Sequence, residues 1–138
     1  MSESLALTVD RRPRLTHFRV KPAVRRQLED YVNTNETSMR CVILEAMRRA
    51  GINVQAEDLT PERKRSLKPY QAEEGEADKL VGLSVSLPVY VRILAEEWMH
   101  AHPGMRLVNM LHVGLKEMGF TVDEEDLKAK WTWKPFTG

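Results

Sequence analysis

Cysteine is nearly absent from this sequence: Cys41 stands alone among 138 residues, so no internal disulfide can form. Histidine is sparse as well. The four present are not accompanied by cysteine pairs, and no carboxylate or thiol lies at a ligand spacing from His100, His102 or His112, so a structural zinc site is not expected. No apolar run approaches the roughly 20 residues of a membrane span, and no signal-peptide pattern opens the chain. Excess charge is missing too, with 21 Lys+Arg against 20 Asp+Glu and a formal charge of +1. Taken as an average, that near-neutrality argues against a nucleic-acid partner, which calls for a basic surface. No nucleophile–base pair stands out: Cys41 sits beside Val42 as a small half-buried residue, without a His/Asp constellation. These absences lead to the expectation of a cytoplasmic, reduced protein that uses no membrane, metal or cofactor and is not an enzyme.

The charge that is present is unevenly placed. Residues 1–55 hold ten Lys/Arg against six Asp/Glu, whereas 56–80 and 81–138 are each slightly acidic. Arg11, Arg12, Arg14, Arg19, Lys21, Arg25 and Arg26 follow one another with no acid between them. A cluster of this kind suits a polyanionic partner, and a solvated basic face is the plainer alternative.

An internal repeat organises the chain. Gly51-Ile52-Asn53-Val54-Gln55-Ala56-Glu57-Asp58-Leu59 parallels Gly119-Phe120-Thr121-Val122-Asp123-Glu124-Glu125-Asp126-Leu127 at an offset of 68. At that offset Val42, Ile43, Ala46, Met47 and Ala50 fall on Met110, Leu111, Gly114, Leu115 and Met118, the buried stripe of an amphipathic helix. Further back the offset becomes 67, matching Val20 with Leu87, Val24 with Val91, Arg25 with Arg92 and Tyr31 with Trp98. The chain therefore reads as two copies of one unit of about 45 residues.

Each copy opens on period-two alternation, which marks a half-buried strand. In residues 16–21, Phe18 and Val20 face one side and His17, Arg19 and Lys21 the other; in 83–87, Leu83, Val85 and Leu87 lie opposite Ser84 and Ser86. Pro22 or Pro88 then ends the strand near a helix start. A first helix follows, with the stripe Val24, Leu28, Tyr31, Val32 or Val91, Leu94, Ala95, Trp98. A polar turn leads to the second helix, which Thr37 or Ser38 can cap in copy one and which ends on Gly51 or Gly119. One strand and two short helices cannot close a core alone. Two copies can, if the strands pair antiparallel over the four helices. The expected architecture is mainly α: a 1–15 basic arm, a first unit over 16–59, a linker over 60–80, a second unit over 81–127 and a Trp-rich tail over 128–138. The acidic stretch Glu73–Asp78 belongs to that linker.

With "HFRVKPAVRRQL" and "VSLPVYVRIL" at the strand-to-helix junctions, this order resembles the ribbon-helix-helix family of DNA-binding proteins. The family normally assembles from two chains. Here both halves lie in one chain, similar in plan to TraY-type conjugation accessory proteins. The resemblance covers about 16–51 and 83–119. It implies a tandem ribbon-helix-helix that inserts its two-stranded ribbon into the major groove of double-stranded DNA. A repressor or a relaxosome-like nucleoprotein factor of a plasmid or phage is the role that follows. By the same resemblance His17, Arg19, Ser84 and Ser86 read bases. Thr37, Ser38, Met39 and Arg40, with Gly104, Met105 and Arg106, grip phosphate at the starts of the second helices.

The alternatives are a solubilising charge for Arg19 and a plain edge residue for His17. Arg11, Arg12 and Arg14 look like a flexible arm onto phosphate or the minor groove, or else a disordered basic terminus. Lys21, Arg25 and Arg26 complete the phosphate set. Pairing of two molecules on adjacent sites is compatible with so small an interface. Trp131, Trp133 and Phe136 either fold back onto the domain or dock on a protein partner, which leaves an adaptor or antitoxin-like interaction module as the rival function.

Overall fold

The computed structural model of the chain describes residues 9–60 and 79–128. The Glu73–Asp78 acidic stretch and the Trp131, Trp133 and Phe136 tail lie outside them. In chain order the elements are β1 (Pro13–Val20), α1 (Pro22–Thr34), α2 (Met39–Ala50), a 3-10 turn (Ala56–Leu59), β2 (Val81–Pro88), α3 (Val89–Ala101), α4 (Leu107–Glu117) and a second 3-10 turn (Glu124–Leu127). β1 and β2 form one two-stranded antiparallel sheet, and the described fold is mainly helical. No helix among the described residues is long and apolar enough to cross a membrane.

The strands follow the alternation of their sequences and extend beyond it. β1 begins three residues earlier than the pattern suggested and ends at Val20, so Lys21 is not a strand residue but the N-cap of α1. Thr16, Phe18 and Val20 are buried with Leu83, Val85 and Leu87, as period two requires. Pro22 opens α1 and Pro88 caps α3, where the missing N–H has no cost.

The register carries the fold's main geometric fact. Thr16 lies opposite Val85, His17 opposite Ser84 and Phe18 opposite Leu83. Paired positions add to 101, and repeat-equivalent positions differ by 67, so His17 and Ser84 alone are both paired and equivalent. An approximate two-fold relation between the units therefore passes through this pair. It also passes through the crossing of α2 and α4, because Ala46 and Gly114 are equivalents at the offset of 68. A Cβ built on Gly114 would stand 1.7 Å from the Ala46 carbonyl oxygen, so the helix backbones touch there and only glycine fits. The core lies between this crossing and the ribbon: Leu28, Val32, Ile43, Leu44 and Met47 meet Leu87, Val91, Met110, Leu111 and Leu115.

Polar bonds tie one unit to the other. The Trp98 indole N–H donates to the Ala50 carbonyl at 3.1 Å, and the Tyr90 hydroxyl donates to Asp58 at 2.5 Å while accepting from the Gln55 amide at 3.0 Å. The basic arm lies against α3 at Asp10 and Arg12. The first amides of α3, Val89 and Tyr90, donate to the carbonyls of Arg12 and Asp10 at 3.0 and 2.9 Å, so the arm caps a helix end that would otherwise hold orphan donors.

Candidate nucleic-acid interface

The ribbon's outward face carries Leu15, His17 and Arg19 from β1 and Gly82, Ser84 and Ser86 from β2, all exposed. Pleating puts them there, since each alternates with a residue buried in the core. His17 Nδ1 lies 2.6 Å from Ser84 Oγ at the centre of the row. Arg19 stands opposite Gly82 at one end, and Leu15 opposite Ser86 at the other. His17, Arg19, Ser84 and Ser86 are thus brought together as the sequence suggested. Leu15 extends this face one position beyond the alternation that begins at Thr16. The Pro-Arg-Leu-Thr stretch gives no signal for it, because its alternation is out of phase with that of residues 17–20: apolar Leu15 falls on the outward face and polar Thr16 on the core face.

Two arginines hold the free edge of the ribbon. Arg25 from α1 donates to the Gly82 carbonyl, and Arg40 Nε from α2 donates to the Ser86 carbonyl at 3.0 Å. They satisfy edge acceptors and fix the helices beside the strand. Arg25 also faces Glu29 at 3.9 Å.

The basic run is less uniform than its sequence. Arg11 pairs with Glu57 and Asp58 and lies 5.9 Å from the centre of the Tyr90 ring. Arg12 is chelated by Asp10, whose carboxyl the Arg12 hydrogen bonds pull down to about 2. Lys21 reaches Asp123, Glu125 and, at 3.4 Å, Asp126; the first two hydrogen bonds raise its pKa above the ordinary lysine value. Asp123, Glu125 and Asp126 form the one grouping of three potential metal ligands among the described residues, and the Lys21 ammonium occupies its middle. The guanidinium groups of Arg14, Arg19 and Arg26 have no hydrogen bond or ion pair among the described residues. Apart from Asp10, which adjoins the run, the acids on Arg11 and Lys21 come from the ends of the two repeats, far away in sequence, which is why an acid-free run concealed them.

At the start of α2, Ser38 is the cap: its Oγ accepts from the Cys41 amide at 3.1 Å, which leaves the Met39 and Arg40 amides without partners among the described residues. Thr37 donates its amide to the Val32 carbonyl instead. Cys41 is buried. At the start of α4, Gly104 takes a positive φ of 85° and Arg106 is exposed, its amide held at 2.8 Å by the Asn109 side chain. Met105 packs against the core. Buried Asn109 also donates to the carbonyls of Asp126 and Lys128, a role no sequence pattern announced. The histidines do not converge: His102 stacks on Trp98 at 4.0 Å and His112 is buried, with Nδ1 at 2.7 Å from the Val108 carbonyl.

Compared with protein-family models, with curated proteins and with solved structures, the chain gives no match.

Proposed function

We propose that this protein is a sequence-specific double-stranded DNA-binding protein of the ribbon-helix-helix kind, with both halves in one chain. Its outward ribbon face enters the major groove, and it serves repression or nucleoprotein assembly. The observation that carries this reading is the outward row itself, with the Arg19 guanidinium free of any internal partner among the described residues on a two-stranded ribbon. From Leu15 to Arg19 a strand advances about 13 Å, and a ribbon only two strands across suits a groove of about 12 Å. That advance corresponds to about four base pairs. Arg14, Arg19 and Arg26 supply uncommitted positive charge, while the Met39 and Arg40 amides at a helix N-terminus suit phosphate oxygens. Arg19 matches guanine O6 and N7, and Ser84 and Ser86 accept or donate to several base edges.

The test is binding of the full chain to random duplex DNA across a salt series. Affinity should fall linearly with salt on logarithmic axes, as counterion release demands, and a flat response overturns the reading. On a selected site, Arg19→Ala should lose about 1–3 kcal/mol and relax preference at one position, whereas Arg26→Ala should weaken all sequences alike.

A further inference from the structure

The outward face is chemically lopsided about its own centre. On the Arg19 side of the His17–Ser84 pair stand a guanidinium and Gly82, which has no side chain. A Cβ added at Gly82 would meet open space, so packing does not demand glycine there, and its absence leaves Arg19 room to swing across the ribbon. On the other side stand Leu15 and Ser86. Leu15 is 62% exposed, the most open large apolar side chain among the described residues, and it stands at one end of an otherwise polar row. An exposed leucine gains nothing from water, and the base edge that suits it is the C5 methyl of thymine.

We infer that the protein recognises a non-palindromic site in one fixed orientation, with Leu15 contacting thymine methyl groups in one half and Arg19 reading guanine in the other. This rests on the DNA-binding reading above and deepens it. The approximate two-fold relation of the backbone offers DNA two equivalent ways to dock. The side chains at the two ends of the row remove that equivalence, and reversing the complex would place the guanidinium over the methyl groups and the leucine over guanine acceptors. Leucine there leaves those acceptors unpaired, which is how a wrong orientation is penalised.

The experiment is selection of duplexes from a randomised library by the full chain, followed by replacement of thymine with uracil in the selected site. Two unlike half-sites, one carrying guanine and one thymine, are expected. Uracil in the thymine half should lower affinity about fourfold per contacted base, the factor for one buried methyl group at about 0.8 kcal/mol. The same replacement should leave Leu15→Ala unaffected, and Leu15→Arg should convert the thymine half to a guanine preference. Leu15 is exposed, so these variants keep the core intact. A palindromic selected site, or an equal uracil effect in wild type and Leu15→Ala, overturns the inference while leaving DNA binding in place. Salt-dependent binding with no selected sequence also overturns it. Absence of any DNA binding overturns both readings, and the salt series separates that outcome from the others.

Discussion

At the residue scale, Gly114 and Tyr90 are each required by a neighbour from the other unit. A methyl group on Gly114 has nowhere to go, because the atom it meets is the Ala46 backbone carbonyl rather than a side chain that can turn away. Gly114→Ala should therefore cost at least the upper part of the usual 1–3 kcal/mol overpacking range, roughly 3 kcal/mol, read as a lower urea midpoint. A midpoint within error of wild type would mean that the helices separate freely. Tyr90 makes a pH prediction. Burial, and then the hydrogen bond to Asp58, push its hydroxyl up to about 12, with the Gln55 amide and Arg11 opposing. The unfolded chain loses that proton near 10, so the stabilisation is complete below about pH 10 and is lost as pH rises through the folded value. Urea stability should fall across that window and fall less steeply in Tyr90→Phe. Equal slopes would clear Tyr90 of the effect.

At the scale of elements, the caps and clamps decide where each helix begins and what it leaves exposed. Ser38 caps α2, and Ser38→Ala should destabilise by about 1 kcal/mol, read as a lower midpoint in thermal unfolding. A variant as stable as wild type would show that the Arg40 contact to Ser86 alone anchors this end. The apolar stripes and strand faces were legible because periodicity depends only on which side of an element meets the core. Phe18, Val20, Val42, Ile43 and Ala46 all lie where their spacing puts them. The outward face of the ribbon was legible in the same way for His17, Arg19, Ser84 and Ser86. The ion pairs were not. Nothing local in "GINVQAEDL" or "GFTVDEEDL" says that Asp58 will meet Arg11 and Tyr90, or that Asp123, Glu125 and Asp126 will gather on Lys21. Such partners are chosen by tertiary placement, and they join Lys21 of the first unit to the end of the second.

At the scale of the molecule, the two units share one core, so neither has a complete one by itself. β1 has β2 as its partner, and α2 packs on α4 across the unit boundary. Cutting the chain within residues 61–78 should give fragments that show no cooperative unfolding separately and recover it on mixing, as followed by circular dichroism. Cooperative folding of either fragment alone would contradict the shared core. In the intact chain the pairing is intramolecular, so the unfolding midpoint should not change with protein concentration. The contact of Ala46 with Gly114 adds a consequence for such fragments. Two first units meeting in the native manner would bring alanine against alanine, one methyl more than the crossing accepts. Two second units would bring glycine against glycine and leave a hollow where that methyl belongs. Only the unlike pair fills the space, so the helix crossing acts as a sorting device that favours mixed assembly over assembly with self.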